Sequence, residues 1–406
     1  MYSICLGRRE EVLKALKSNN IGVIAIVDRR YPRPSSKFYN YFHHVDDISD
    51  FEIVRAVCEP YIKNLNICSV IAPGESSILT AGQLRDTYGI QGRGYKISLS
   101  LRNKFEMYKV ARKNNIPVAD TLFVSLLEDA EMFIRTKLKQ GKTCIAKPVS
   151  GFGTSNVMKI TSINDWYQYK YLYLTDKTFF MRDGVILQEF VEGAEYHIDA
   201  VIQNSKIQFI SISRYLKNNL GFNSHKMVGS VMLLESDLEY SVLKKFNEDV
   251  VQAFGICHGV IHHECFLNEL GNPILGEVAI RPGGNYIPEM IENATNINLY
   301  DIFVKVENQI PVAIHHQKLN ESHGYVHIPI HRTGNVKKLV PSDDLLKLEG
   351  IIDVRYEISE GQDVSEARYS FQRAGVILGK AKSSTELQKI LKKACLLSYP
   401  IIESEE

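Results

Sequence analysis

The stretch that decides the fold of this chain runs from His262 to Arg281 and reads HHECFLNELGNPILGEVAIR. Two apolar runs flank a polar segment with a glycine, a pattern that predicts a β-hairpin. A turn centred near Leu270 and Gly271 places Glu264 directly opposite Glu277 on the two strands. The hairpin is therefore predicted to bring two carboxylates face to face.

Two carboxylates opposite one another repel, and this arrangement destabilises a bare sheet. A divalent cation between Glu264 and Glu277 removes that penalty, and ligation by oxygen alone suits Mg²⁺ or Mn²⁺ held together with substrate phosphates. The period-two alternation of a strand puts Ala279 and Arg281 on the face of Glu277. By the same rule His262 shares the face of Glu264. The alternative is a pair of hydrated carboxylates on an exposed face, which the flanking apolar residues disfavour, so a metal site is predicted here.

A zinc site is a second interpretation of the same region, because cysteines and histidines crowd it. The candidates are Cys257, His258, His262, His263 and Cys265. Their spacing does not match a zinc finger or ribbon, and a straight strand sends neighbouring histidines to opposite faces. The site with oxygen ligands is therefore favoured.

Two further segments carry polar groups at strand ends. In KPVSGFGTSNV, at Lys147–Val157, glycines let backbone N–H groups approach an anion and the lysine supplies charge for phosphate oxygens. The segment is too short for a Walker loop, and an ordinary tight turn beside a surface lysine is the alternative. In VILQEFVEGAEYH, at Val185–His197, a strand breaks at polar residues and a glycine. The break leaves backbone N–H and C=O groups free to bind the edge of a purine, and Glu195 could accept hydrogen bonds from ribose hydroxyls. An ordinary strand-loop-strand corner explains the same pattern equally well.

Composition excludes several classes of protein. The 406 residues are 45% hydrophobic and 23% charged, with 48 Lys+Arg against 47 Asp+Glu, so we expect two to four folded domains and no nucleic-acid partner. No apolar run approaches the ~20 residues of a membrane helix, and the first residues lack a secretory leader. Seven scattered cysteines, an odd number, indicate buried thiols in a reducing cytoplasm.

The layout of predicted elements changes along the chain. Strands at Tyr2–Leu6 and Ile21–Val27 flank a helix at Glu10–Lys17, which predicts a parallel, Rossmann-like sheet up to about residue 98. A dinucleotide site is not expected there, because Gly7 stands alone where the glycine fingerprint would be. A helix at Leu101–Asn114 follows, and then short strands in antiparallel pairs.

These pieces, in this order, resemble the ATP-grasp superfamily, the fold of biotin carboxylase and D-alanine–D-alanine ligase. The resemblance covers nearly the whole chain and implies an α/β protein with α+β character in the ATP-grasp lobes. It implies a Rossmann-like domain at 1–98, a two-lobed nucleotide-binding core at 99–310 with a lid at about 120–192, and a small C-terminal α+β domain at 311–406. The closing segment is similar to the corresponding part of L-amino-acid ligases.

The resemblance also implies roles for individual residues. Lys104 and Lys147 match phosphate-binding lysines, and Glu195 matches the ribose-binding acid. The glycine-rich lid over the phosphates matches Ser150, Gly151, Gly153 and Ser155, and the adenine-contacting hinge matches Gln188, Glu189, Phe190 and Val191. Glu264 and Glu277 match the metal-binding pair. Arg281 matches an arginine that holds a substrate carboxylate or acyl phosphate, with Gly283 and Gly284 as further substrate candidates. Apart from the resemblance, His225 lies in a polar segment with a glycine after Arg214, which favours a plain surface loop, with a substrate contact as the alternative.

One departure from the family pattern concerns the metal site. The family commonly has Glu-x-Asn-x-Arg, whereas this chain has Ala279 between Glu277 and Arg281. The amide oxygen for a second metal is therefore absent, and the resemblance implies one metal more firmly than two.

The resemblance implies an ATP-dependent carboxylate–amine ligase with ATP and Mg²⁺ (or Mn²⁺) as cofactors and amino acids as substrates. It would form a peptide bond through an acyl phosphate and release ADP and phosphate. Two alternatives stay open: a ligase that loads an amino acid onto the thiol of a carrier protein, and a nucleotide-binding sensor or scaffold that has lost catalysis. Dimers are common in the superfamily, so a homodimer agrees with the resemblance.

Overall fold

The N-terminal region forms a parallel sheet with the strand order β3-β2-β1-β4. The computed structural model describes residues 1–125, 127–151, 156–175, 184–220, 225–314 and 318–404. The first strands are β1 (Tyr2–Leu6), β2 (Gly22–Asp28), β3 (Tyr41–Val45) and β4 (Ile67–Ile71), and the helices are α1 (Glu10–Ser18), α2 (Phe51–Asn64) and α3 (Ile78–Tyr88). Apolar residues fill these strands, and they are buried by the helices that alternate with them. The predicted parallel sheet is confirmed.

Two helices, α4 (Tyr95–Ser100) and α5 (Lys104–Lys113), connect this sheet to the next one. The sequence predicts one helix over Leu101–Asn114, and the structure corrects its start. The side chain of Asn103 accepts hydrogen bonds from the N–H groups of Phe105 and Glu106. This cap satisfies donors that no helical carbonyl reaches, so α5 begins at Lys104.

The segment predicted to be the lid, which keeps that name below, forms a second sheet, antiparallel, with the order β5-β8-β6-β7. Its elements are β5 (Thr121–Phe123), α6 (Leu127–Lys139), β6 (Cys144–Pro148), β7 (Met158–Ile160), α7 (Ile163–Thr175) and β8 (Val185–Glu189). Ile145 pairs with Gln188, and Lys147 lies two residues further along the same face of β6. The lid therefore presents Lys147 and Gln188 on one face.

The central sheet has eight strands in the order β13-β12-β9-β10-β11-β14-β18-β16. They are β9 (Ala194–Gln203), β10 (Lys206–Tyr215), β11 (Gly229–Met232), β12 (Gly259–Leu267), β13 (Pro273–Ala279), β14 (Ser322–Ile328), β16 (Ile351–Tyr356) and β18 (Gly375–Ala381). The helices in this part are α8 (Tyr240–Ala253), α9 (Ile287–Thr295), α10 (Leu299–Glu307), α11 (Ser342–Leu346) and α12 (Ser384–Leu397). A small sheet joins β15 (Gly334–Lys338), β17 (Asp363–Val364) and β19 (Ile401–Glu403). Three strands that follow residue 310 are therefore continuous with the central sheet.

The two faces of the central sheet differ in polarity. On β9, Ile198 and Ala200 pack with α8 in an apolar core, while Glu195, His197 and Asp199 point to the opposite face. The predicted hairpin is confirmed, since β12 and β13 pair antiparallel with Glu264 opposite Glu277. The opposite, polar face is where the candidate site lies. Among the described helices, none is long and apolar enough to cross a membrane.

Candidate active site

A cavity of about 540 Å³ opens between the lid and the polar face of the central sheet. Most of the residues singled out in the sequence line it, namely Lys104, Lys147, Gly151, Gln188, Glu189, Phe190, Val191, Glu195, Glu264, Glu277, Arg281 and Gly284. Glu75 of the N-terminal region and Ser370 of the C-terminal region also reach it. All three parts of the chain therefore contribute to one site.

Five predicted site residues are not among the described residues that line the cavity: Ser150, Gly153, Ser155, His225 and Gly283. Ser150 is buried, and its carbonyl accepts a hydrogen bond from Arg102. Gly153 and Ser155 fall outside the described residues. The side chain of His225 is exposed, its ring lies 6.1 Å from that of His331, and it is not among the described residues that line the cavity. The surface position favoured for this histidine agrees with the structure, and the alternative of a substrate contact does not.

The opposed acids each keep one oxygen available to the cavity. Oε1 of Glu277 accepts a hydrogen bond from Nζ of Lys104 at 3.0 Å, and Oε1 of Glu264 accepts one from the hydroxyl of Tyr215 at 2.8 Å. Within the described ranges, no hydrogen bond reaches the second oxygen of either side chain. Burial alone would raise the pKa of Glu264, but His262 and Tyr215 hold that pKa at about 2.

This donor set fits a hard divalent cation. Two carboxylate oxygens face one space, and cations such as Mg²⁺ take one or two carboxylates together with phosphate oxygens. Ala279 lines the same space but contributes only a methyl group. The hairpin therefore offers ligands for one cation.

The two predicted lysines lie at the junction of the lid and the central sheet. Nζ of Lys104 also donates to the carbonyl of Gly151 at 2.9 Å, so it joins the glycine-rich segment to Glu277. Nζ of Lys147 donates to Oε1 of Gln188 at 3.0 Å. Burial and the nearby charge of Lys104 lower the pKa of Lys147 to about 8. Both ammonium groups are fixed in place before any phosphate arrives.

We expect ATP to bind more weakly as pH rises through about 8. The pKa of Lys147 in the folded protein is about 8, below the ordinary value for a lysine. Its ammonium group therefore loses the proton, and with it the positive charge that attracts a phosphate, as pH rises through about 8. If the neutral form binds ATP poorly, the Kd rises about tenfold between pH 7 and pH 9. Calorimetric titrations with ATP across this range measure it. Lys147→Met should bind weakly with a flat profile, and Lys139→Met, at an exposed position of α6, should follow the wild type. A wild-type Kd that is constant to pH 9 would contradict the role of Lys147.

The adenine-hinge residues are held by contacts within the lid. Nε2 of Gln188 donates to Oγ1 of Thr121 at 2.9 Å, so both ends of this amide are occupied. The carboxylate of Glu189 pairs with Lys137 at 2.8 Å and with Lys142 at 2.6 Å. A base in this part of the cavity would therefore meet backbone groups and the ring of Phe190, not the polar side chains of Gln188 and Glu189.

The predicted ribose acid is deeply buried at the edge of the cavity. The oxygens of Glu195 accept from the backbone N–H of Asn219 at 2.5 Å and from its Nδ2 at 3.1 Å. Burial and the nearby charge of Glu264 raise the pKa of Glu195 to about 8 despite these two donors. A group of this kind can accept from or donate to a hydroxyl.

Arg281 is anchored from the N-terminal region. Its Nε donates to Oε1 of Glu75 at 2.6 Å, and the buried Arg102 lies on the other side of the same carboxylate, with its Nε 3.6 Å from Oε2. Burial opposes the charge of Glu75, but Arg281 and Arg102 keep its pKa below the usual value. The guanidinium of Arg281 is thereby held rigidly at the cavity, in the planar form that suits a carboxylate.

Several residues of the site were missed in the sequence. They are Glu75, Arg102, His197, Asp199, Tyr215 and Asn219. A signal existed for two of them, since His197 and Asp199 continue the period-two polar pattern of Glu195 through an apolar strand. The zinc interpretation is not supported: Nδ1 of His263 lies 2.9 Å from Asn247 on the opposite face of the sheet.

Comparisons with known proteins find a matching domain family and similar enzymes. The ATP-grasp domain family matches residues 101–284. An L-arginine-specific L-amino acid ligase of Bacillus subtilis is 29% identical over 378 residues, 92% of this chain and 90% of that protein. Dapdiamide A synthase of Enterobacter agglomerans is 21% identical over 82% of this chain and 79% of that protein.

Solved structures extend the agreement to the whole fold. The L-amino acid ligase of Bacillus licheniformis superposes with a TM-score of 0.78 at 15% identity, over 99% of this chain and 98% of that chain. The biotin carboxylase domain of the 2-oxoglutarate carboxylase of Hydrogenobacter thermophilus superposes with a TM-score of 0.69 at 13% identity, over 99% of this chain and 90% of that chain. Matching domain, relatives and fold lead to one conclusion: residues 101–284 form an ATP-grasp domain, within a chain that is similar over nearly its whole length to L-amino acid ligases.

Proposed function

We propose that this protein is an ATP-dependent carboxylate–amine ligase that joins two amino acids through an acyl phosphate. One observation carries the proposal: a single cavity holds two fixed ammonium groups, two opposed carboxylates and an anchored guanidinium. These are Lys104, Lys147, Glu264, Glu277 and Arg281. The amino-acid substrates are supported by the similarity to the arginine-specific ligase.

In the first step an oxygen of the substrate carboxylate attacks the γ-phosphorus of ATP. The bond to the β-phosphate oxygen breaks, and ADP leaves. Arg281 holds the carboxylate in line, while Lys104 and Lys147 face the phosphate oxygens and stabilise the charge that spreads over them. Glu264 and Glu277 would hold a divalent cation such as Mg²⁺, which would supply further positive charge beside the phosphates.

In the second step the neutral amine of the other amino acid attacks the carbonyl carbon of the acyl phosphate. The carbon–oxygen bond to phosphate breaks, an amide forms, and one proton and phosphate are released. Water would hydrolyse the acyl phosphate, so the site has to be closed during both steps. The lid lines the cavity from one side, and Ser370 lines it from the C-terminal region.

The proposal is tested by phosphate release from ATP and Mg²⁺ over all pairs of the twenty amino acids, with mass spectrometry of the products. We expect release that depends on particular pairs, with a dipeptide mass, and pairs that contain L-arginine are measured first. Hydroxylamine with each single amino acid traps the activated carboxylate as a hydroxamate, which reports the first step even where the natural acceptor is a thiol. Tight ATP binding with neither phosphate release nor hydroxamate would contradict the proposal and favour a protein that has lost catalysis.

A further inference from the structure

Five side chains behind the proposed metal site form a closed ring of contacts. They come from three neighbouring strands and are His197, Asp199, Tyr215, His262 and Glu264. The register of β9 and β12 places His197 opposite Glu264, and Asp199 opposite His262. Tyr215 ends β10, the strand on the other side of β9. The polar face of the sheet thus brings all five residues next to one another.

The carboxylate of Asp199 orients two imidazole rings. It is completely buried, and it lies 2.7 Å from Nδ1 of His197 through Oδ2 and 3.0 Å from Nδ1 of His262 through Oδ1. An ionised carboxylate only accepts hydrogen bonds, so both Nδ1 atoms carry the donated proton. The ring of His262 is thereby turned so that its Nε2 lies 3.5 Å from Oε1 of Glu264.

Tyr215 reaches the same oxygen from the other side. Its hydroxyl donates to Oε1 of Glu264, and its ring packs on that of His197 with centroids 4.8 Å apart. His197 therefore supports both Asp199 and Tyr215, and the two branches converge on Oε1 of Glu264. The other oxygen of Glu264 remains for the cavity.

Gly283 covers this ring of contacts. A Cβ at this position would lie 2.9 Å from Oδ1 of Asp199 and 3.2 Å from Nδ1 of His262. The loop that follows Arg281 thus lies directly on the hydrogen bond between the two side chains and shields it. Gly283, predicted as a substrate contact, is placed behind the cavity wall, because only a residue without a side chain fits against this bond.

We infer that His197, Asp199, His262 and Tyr215 are positioning residues that fix Oε1 of Glu264 and so present its other oxygen to the divalent cation. The inference rests on the proposed function, because it needs the cation at the hairpin. Groups that hold the ligands of a metal in this way commonly set its affinity.

Three residues of the ring, His197, Asp199 and His262, have ligand atoms within 4.8 Å of one another and are themselves a candidate metal group. Ligand atoms around one tetrahedral ion lie roughly 3.3 Å apart, given bonds of about 2.0 Å to nitrogen. The two contacts to Asp199, at 2.7 Å and 3.0 Å, are instead in the range of hydrogen bonds. The ring therefore acts on the metal through Glu264.

The test uses the full chain loaded with a non-hydrolysable ATP analogue. This complex is titrated with Mn²⁺, and electron paramagnetic resonance measures the bound and free ion. Tyr215→Phe removes one hydroxyl, and Asp199→Asn keeps the shape of the side chain but removes its charge. We expect each substitution to raise the Kd for Mn²⁺ about 10- to 100-fold. The Kd for metal-free ADP should stay within about twofold of the wild-type value, because neither residue is assigned to the nucleotide.

A matched pair of substitutions on one strand separates positioning from folding. His262→Asn retains a donor near Asp199 but loses Nε2, the atom that faces Glu264. His263→Asn changes the neighbouring buried histidine, which points to the opposite face and contacts Asn247. Both should lower the melting temperature, and only His262→Asn should weaken Mn²⁺ binding.

The outcomes distinguish this inference from the proposed function. If the wild type binds no Mn²⁺ in the presence of the analogue, the metal pair of the proposed function fails. If the wild type binds Mn²⁺ and folded Tyr215→Phe binds it within about twofold of the wild type, the positioning role is overturned while the metal pair stands. Tyr215→Phe decides the question even where Asp199→Asn does not fold, since it removes only one oxygen atom.

Discussion

Glu277→Gln is expected to lower kcat for ADP formation about 10³-fold or more while the fold persists. Glutamine has the same shape and can still accept the hydrogen bond from Lys104, but it lacks the negative charge that a divalent cation requires. The repulsion from Glu264 and the ion pair with Lys104 are lost together, and the two changes act in opposite directions, so the melting temperature should change little. Steady-state ADP release and thermal unfolding measure the two effects.

Glu269→Gln is the matched control for this substitution. Glu269 lies at the exposed turn of the same hairpin, so the change removes the same charge away from the cavity. Its activity should equal that of the wild type. ADP release near the wild-type rate from a folded Glu277→Gln would exclude the metal role of the acid pair.

Arg281→Lys is expected to lower kcat/KM for the first amino acid about 100-fold, with the Kd for ATP unchanged within about twofold. Lysine keeps the charge but not the planar fork that holds a carboxylate by two parallel hydrogen bonds. The lysine also keeps a positive charge beside the buried carboxylate of Glu75, so the substitution does not leave that carboxylate unpaired.

The control for Arg281 is Arg214→Lys. Arg214 lies on β10 of the same central sheet, with its guanidinium over the ring of Tyr196 on the face away from the cavity. We expect near wild-type kcat/KM for this variant. If Arg281→Lys behaves in the same way, Arg281 serves only as the structural partner of Glu75, and the substrate carboxylate is held by another group.

The acid pair was predictable because its geometry is local. A hairpin turn near Leu270 and Gly271 fixes the register of the two strands on either side, and the register fixes the partner of each residue. In the structure Leu267 and Cys265 pair with Pro273 and Leu275, and a β-bulge between Glu264 and Cys265 then shifts the register by one residue, which brings Glu264 opposite Glu277.

The groups that hold the site could not be predicted, because their partners are remote in sequence. Asp199 and His262 are 63 positions apart and meet only through the pairing of β9 with β12. Glu75 and Arg281 are 206 positions apart and meet only when the N-terminal region docks on the central sheet. Period-two alternation marks a polar face, but it does not say which strand lies beside it.

The most direct test of the central claim is the transfer of oxygen from the substrate carboxylate to phosphate. The first amino acid is labelled with ¹⁸O in its carboxylate and incubated with the amine substrate, ATP and Mg²⁺. An acyl phosphate intermediate predicts ADP and one ¹⁸O atom in each phosphate released, in step with the dipeptide formed. Unlabelled phosphate, or AMP that carries the label, would contradict the account.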